Sequence, residues 1–164
     1  MKIRTYHQNL GAALIQIAEN PNFTAINPLR LRNENIPYAY LINNDTCVFL
    51  KYGNEPKETG EYQFTYTEDQ MLTIDEASEH YNVYIGLICV EEQEVCGITA
   101  DQFWDMIKAR RESAGRDEES YQVLVTATPR GQMRVYTNAA GRKRTTALPP
   151  VVVPRNRYPG FLFE

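Results

Sequence analysis

The chain has 164 residues, of which 43% are hydrophobic and 23% are charged, and its formal net charge is −4. This composition is typical of an ordered globular domain and excludes the class of disordered chains, which combine low hydrophobicity with high net charge. No apolar run reaches the roughly 18 residues of a membrane-spanning helix, so we expect no membrane partner. The three cysteines, Cys47, Cys89 and Cys96, form no framework of pairs, which predicts a reduced, cytoplasmic protein.

Three segments open with a Thr-x-x-Gln pattern that predicts the start of a capped helix, at Thr5, Thr67 and Thr99. In this capping box the threonine hydroxyl accepts a hydrogen bond from the amide three residues on, and the glutamine side chain accepts one from the threonine amide. Apolar residues recur behind each start at the spacing of one helix face. The pattern predicts three helices, the first of which ends at Asn20-Pro21.

Strand-like stretches separate the predicted helices. Residues 23–32 alternate apolar positions but include Pro28, which favours an edge or bulged strand. Residues 38–42 and 47–52 flank an Asn-Asn-Asp cluster and predict a hairpin. Residues 83–90 are apolar at nearly every position, which indicates a central strand covered on both faces and reached by a helical crossover.

After the third helix, residues 121–128 and 132–137 flank Pro-Arg-Gly and predict a second hairpin, and four prolines in the last twenty residues predict an extended tail. We therefore expect an α/β fold: a mixed β-sheet of five or six strands with about three helices packed on it, a C-terminal β-hairpin and an extended Pro-rich tail. The chain is predicted to be a single domain, with a core over residues 1–117, a basic hairpin region over 118–145 and the tail over 146–164.

The charge is distributed unevenly along the chain. Residues 1–100 carry six basic side chains against 14 acidic ones, a net charge of −8, whereas residues 120–164 carry seven against one, a net charge of +6. The basic end either balances the acidic remainder within the fold or binds a polyanion. Arginines beside a tyrosine can hold phosphates and stack on a base. The candidate nucleic-acid-binding residues are Arg130, Arg134, Tyr136, Arg142, Lys143, Arg144, Arg155 and Arg157.

Large apolar side chains lie near the C-terminus at Tyr158, Phe161 and Phe163. Such a tail either docks on its own domain or supplies anchors for a protein partner or a second copy of the chain. A protein-interaction module or homodimer is therefore the alternative to a nucleic-acid-binding protein.

The order helix, strand, hairpin, helix and central apolar strand, with Lys51 on the second hairpin strand, resembles the core of the PD-(D/E)XK nucleases over about residues 6 to 98. In that family an acidic residue near one strand end and a Glu-x-Lys on the next strand hold magnesium, and the lysine orients the attacking water. A glutamate of the first helix can contribute. The resemblance implies these roles for Lys51, for Glu19 on the helix and, loosely, for Asp45.

The chain departs from the family at Phe49, where the resemblance requires an acidic residue. Phenylalanine cannot coordinate magnesium, and two-metal hydrolysis needs converging carboxylates. The sequence also has no P-loop, no Gly-x-Gly-x-x-Gly and no His-Glu-x-x-His motif. We therefore expect a non-catalytic, nucleic-acid-associated protein on a nuclease-like scaffold, without a cofactor or metal. An active nuclease, which would need magnesium, is the less favoured alternative.

Overall fold

The chain folds into helices and strands that pack in layers, as seen in a computed structural model that describes residues 1–141 and 145–164. The described helices are α1 (Thr5–Ala18), α2 (Glu68–Ser78) and α3 (Ala100–Ala114), followed near the C-terminus by a 3₁₀ helix (Gly160–Phe163). The strands are β1 (Ile26–Leu31), β2 (Glu34–Ile42), β3 (Thr46–Gly53), β4 (Glu61–Thr67), β5 (Asn82–Cys89), β6 (Glu94–Thr99), β7 (Ser120–Ala127), β8 (Met133–Tyr136) and β9 (Val151–Val153). Within these residues, no helix combines the length and the apolar character needed to cross a membrane.

The strands form two sheets. The first has the order β1-β2-β3-β5-β6 and is mixed, because β3 and β5 are parallel while the other neighbours are antiparallel. The second has the order β4-β7-β8-β9 and is antiparallel. The α/β fold with a mixed sheet and three helices is therefore confirmed.

The second sheet differs from the expected arrangement of a hairpin and an extended tail. The hairpin β7–β8 lies inside it, because β4 pairs with β7 along its whole length. Part of the proline-rich tail is also regular structure: β9 pairs with β8, Val153 opposite Met133 and Val151 opposite Val135. The physical reason is burial, since these valines and their partners face the core between the sheets.

Two of the three predicted capping boxes form. Thr67 accepts from the Gln70 amide at 3.3 Å, and the Gln70 side chain accepts from the Thr67 amide at 3.0 Å. Thr99 starts α3 in the same way. The box predicted for α1 is wrong by one residue, because the Arg4 amide donates instead to Nδ1 of His7 at 3.0 Å. The helix therefore starts one residue earlier than predicted, with Arg4 rather than Thr5 at the cap position, and the imidazole of His7 accepts from the cap amide.

Two hydrophobic clusters cover the two faces of the mixed sheet. One lies between this sheet, the second sheet, α2 and α3, and the other lies beneath α1 and the C-terminal tail. Strand β5 contributes to both, with Ile85 and Leu87 in the first cluster and Ile88 in the second. This confirms the predicted central strand. All three cysteines are free, buried thiols and belong to the first cluster.

The C-terminal tail is part of the second cluster. Tyr158 and Phe161 are each 5% exposed. The Tyr158 hydroxyl donates to the carbonyl of Ala13 in α1 at 2.8 Å, and the Phe161 ring packs edge-on against Tyr84 at 5.0 Å between centroids. Of the two alternatives for the tail, the structure shows docking on its own domain. Tyr158 and Phe161 are core residues rather than exposed anchors, and Phe163 is half-buried beside them.

Candidate functional site

Strand β2 has a bulge in its pairing with β1. Between the pairs Pro28–Tyr40 and Arg30–Asn35, two steps along β1 correspond to five along β2. Tyr38 lies in this bulge with a φ of 61°, a left-handed conformation that is rare for an aromatic residue. The pairing of β2 with β3 ends at Phe49, opposite Ala39. The edge of β3 beyond Phe49 therefore lacks β2 as a partner.

A cleft of about 590 Å³ opens where the two strands separate. We call it the Lys51 cleft, and it is lined by Ile36, Pro37, Tyr38, Phe49, Leu50, Lys51, Tyr52, Gln63, Phe64, Thr65, Tyr66, Asp69, Gln70, Thr73 and Ile74. Successive residues of β3 point to opposite faces of the sheet, and all four from Phe49 to Tyr52 line the cleft. The cleft therefore opens onto the edge of β3, and its volume is within the range of small-molecule sites.

Lys51 is the positively charged residue that lines this cleft. Its Nζ donates to the carbonyl of Thr65 at 2.6 Å and to Oε1 of Gln70 at 3.2 Å, and lies 4.6 Å from the centroid of the Tyr66 ring. Burial lowers the pKa of Lys51 below its ordinary value, because desolvation disfavours the charged form. No ion pair of the described residues includes Lys51. An ammonium has three N–H donors, so two protein acceptors leave one.

The residues carried over from the nuclease resemblance do not converge. Asp45 lies in the turn six residues before Lys51, which corresponds to about 20 Å along a strand. Glu19 follows α1, a helix that packs on the face of the sheet marked by Leu50, whereas Lys51 points to β4 on the other face. Among the described residues, no group of three or more His, Cys, Asp or Glu side chains could hold a metal ion.

The predicted nucleic-acid-binding residues fall into three groups. Arg130 and Arg134 are exposed on the β7–β8 hairpin, and Tyr136 beside them is half-buried. Burial and the charge of Glu61 raise the pKa of Tyr136. The predicted contacts at residues 142–144 lie outside the described residues.

Arg155 and Arg157 form the third group, and both make bonds within the domain. Arg155 donates to the carbonyls of Gly131 at 2.7 Å and Thr128 at 2.8 Å, which ties the tail to the β7–β8 turn. The guanidinium of Arg157 stacks over the Phe161 ring at 4.8 Å. Both arginines are therefore bonded to other parts of the chain, because the tail folds back over the β7–β8 turn and α3. That they bind nucleic acid stays a prediction.

An arm follows β8 and leads to the basic segment. Residues 137–139 and 145–147 run antiparallel and are joined by two backbone hydrogen bonds of 2.7 and 2.9 Å. Arg110 of α3 holds this arm by donating to the Asn138 carbonyl at 3.1 Å, while its Nε and Nη2 donate to the Glu118 carboxylate at 2.6 and 2.9 Å. The described residues on either side of 142–144 thus form a short stem that Arg110 anchors on α3.

The Arg110–Glu118 pair predicts a small pH dependence of stability. The guanidinium of Arg110 lowers the pKa of Glu118, so the carboxylate stabilises the folded chain at neutral pH and this contribution is lost as pH falls through the folded-state pKa. Both side chains are about one quarter exposed, so we expect Glu118→Gln to cost about 0.5–1 kcal/mol at neutral pH and little in acid. Urea denaturation down to about pH 3 measures this difference. Asp117→Asn is the control, since Asp117 is 89% exposed; an equal effect of both variants would contradict the assignment.

The sequence pattern pointed to Lys51 but not to the cleft around it. The wall of the cleft that was not predicted is β4. Its sequence, Glu-Tyr-Gln-Phe-Thr-Tyr-Thr, alternates aromatic and polar residues over residues 61–67. That period of two was the available signal for a strand with Tyr62, Phe64 and Tyr66 inside. The bulge in β2 left no comparable signal, because it depends on how two distant strand segments pair.

The chain has no significant match to a protein-family model, a curated protein or a solved structure. Two features of the chain itself therefore carry the functional inference. One is the basic hairpin, which we define as Arg130, Arg134 and the following segment Arg142–Arg144. The other is the Lys51 cleft.

Proposed function

We propose that this protein binds nucleic acid without cleaving it and that the basic hairpin makes the contact. The observation that carries this proposal is that Arg130 and Arg134 are exposed and make no ion pair among the described residues, whereas Arg155 and Arg157 make bonds within the domain. Guanidinium groups free of carboxylates are suited to phosphate oxygens. The segment Arg142–Arg144 adds three positive charges close by in the sequence.

The proposal includes a nuclease-like scaffold. The antiparallel run β1-β2-β3, followed after β4 of the second sheet by α2 and by β5 parallel to β3, supports it, because the resemblance implies the same order of hairpin, helix and central strand around Lys51. The absence of cleavage is supported by Phe49 on the same strand and by the separation of Lys51 from Glu19 and Asp45. Lys51 itself is held by uncharged acceptors of β4 and α2.

The test is a fluorescence-anisotropy titration of the full chain against short single-stranded and double-stranded DNA and RNA. It is run with magnesium at about 50 and 200 mM salt, because release of counterions from phosphates makes such binding steeply salt-dependent. We expect salt-sensitive binding and an intact probe. A cleaved probe would contradict the non-catalytic assignment, and no binding at the lower salt would overturn the proposal.

The variant Arg130→Ala/Arg134→Ala locates the binding surface. We expect weaker binding to every sequence and a slope of log affinity against log salt smaller by about two, about one for each lost phosphate contact. The matched control is Lys2→Ala/Lys57→Ala, which removes the same charge from two exposed lysines outside the basic hairpin. Equal losses of affinity in the two variants would mean that binding depends only on the net charge of the protein. That result would contradict a defined binding surface.

A protein partner bound by the tail has less support. Tyr158 and Phe161 are enclosed by the chain's own core, which leaves the half-buried Phe163 as the remaining candidate of that group. An active nuclease likewise lacks support, because Phe49 replaces the carboxylate that would lie beside Lys51.

A further inference from the structure

We infer that the Lys51 cleft binds a small aromatic molecule that carries a single negative charge. This site is separate from the basic hairpin and does not depend on nucleic-acid binding. The cleft lies between the bulge of β2, the free edge of β3, strand β4 and the first turns of α2. Its volume of about 590 Å³ is ample for a molecule of one or two rings.

The walls of the cleft favour a planar, aromatic ligand. Rings of Tyr38, Phe49, Tyr52 and Phe64 line it, and the rings of Tyr38 and Tyr52 lie 6.5 Å apart between centroids. Aromatic side chains prefer offset or edge-on contacts with other rings, and they offer a large contact area with few torsions to immobilise. Tyr38 is 39% exposed, so its ring lies at the mouth, where a ligand can reach it.

The charge inside the cleft favours an anion. Lys51 has two neutral acceptors and an aromatic face, and no carboxylate of the described residues forms an ion pair with it. Its remaining N–H can donate a charge-assisted hydrogen bond to an acidic group of the ligand. Such a bond would offset the desolvation that lowers its pKa.

The surroundings limit the ligand to one charge. Asp69 lines the cleft, and residues 1–100 carry a net charge of −8, which disfavours a polyanion at this end of the chain. Uncharged polar substituents of the ligand can hydrogen-bond to other groups of the cleft. These are the side chains of Gln63 and Gln70 and the backbone of β3 beyond Phe49, which is not paired with β2. An acid group at Lys51 and a ring system between the aromatic walls therefore match the whole lining.

A matched pair of fluorescent probes tests this inference on the full chain. 8-Anilinonaphthalene-1-sulfonate carries one charge, and N-phenyl-1-naphthylamine is the same ring system without it. We expect both to bind saturably with one site per chain. Lys51→Met should weaken the charged probe by about 10- to 100-fold, the range for a hydrogen bond to a charged group, and leave the neutral probe within about twofold. Lys57→Met, at an exposed lysine outside the cleft, is the control.

A second variant removes a cleft wall without straining the backbone. Tyr38→Gly deletes the ring at a position where φ is 61°, a conformation that glycine adopts freely, so the fold is retained. We expect this variant to weaken both probes while the thermal unfolding midpoint stays at or above that of the unaltered protein. If Tyr38→Gly binds both probes as well as the unaltered protein does, the cleft is not the site.

Competition on the unaltered protein covers the case in which Lys51→Met does not fold. We expect naphthalene-1-acetate to displace the charged probe at least tenfold more effectively than naphthalene-1-methanol, which has the ring without the acid. The inference is overturned if neither probe binds saturably, if both competitors act equally, or if Lys51→Met folds and binds the charged probe unchanged.

Discussion

Phe161→Ala is expected to lower the free energy of unfolding by about 3–5 kcal/mol, the range for removing a buried aromatic ring and leaving a cavity. The ring is 5% exposed, packs edge-on against Tyr84 of β5 and has the guanidinium of Arg157 over its face at 4.8 Å. All of these contacts are lost together, as is the packing of the Phe161 ring beside Tyr158, whose ring centroid lies 6.5 Å away. Urea denaturation followed by circular dichroism measures the loss.

Phe163→Ala is the matched control, because Phe163 belongs to the same short helix but is only half-buried. We expect it to lose much less stability than Phe161→Ala. If Phe161→Ala has the urea midpoint of the unaltered protein and differs only in oligomeric state, the tail is a partner anchor and its docking on the domain contributes nothing to stability.

Gly97→Ala is expected to destabilise the fold by about 1–3 kcal/mol, the cost of overpacking a core. A Cβ at Gly97 would lie 2.5 Å from two atoms of the Phe161 ring, so the ring or the strand must shift. Gly97 of β6 faces Gly86 of β5 across the sheet, and a Cβ at Gly86 would lie 2.7 Å from the Leu50 side chain. Gly97 thus makes room for the Phe161 ring of the tail, and Gly86 makes room for Leu50.

Two further variants test this reason for Gly97. Gly11→Ala is the control, because a Cβ there meets no described atom within 4 Å and alanine in a helix is favoured over glycine by about 0.5–1 kcal/mol. In the double variant Gly97→Ala/Phe161→Ala the added methyl occupies the space that the ring leaves, so the losses are expected to be strongly non-additive. Additive losses would show that the cost at Gly97 does not come from the ring.

The elements that sequence analysis predicted correctly are those whose determinants lie close together in the chain. Thr67 and Gln70 are three residues apart and cap α2 as expected. The apolar run of β5 indicated a central strand, because apolar residues at consecutive positions are buried on both faces of the strand. In both cases the pattern within one segment is sufficient. It specifies either the hydrogen bonds of the helix cap or the burial of both strand faces.

The sequence by itself determined the α/β class, the three helices, the central strand and the basic C-terminal end. The tertiary structure decided which of those basic residues are exposed: Arg155 reaches the carbonyls of Thr128 and Gly131, while Arg130 and Arg134 face outward. It also decided the cleft, since Lys51 meets Thr65 and Gln70 only after β4 and α2 have packed beside β3. The physical reason is that these contacts join residues distant in sequence, and their partners are set by how the two sheets pack rather than by any pattern within one segment.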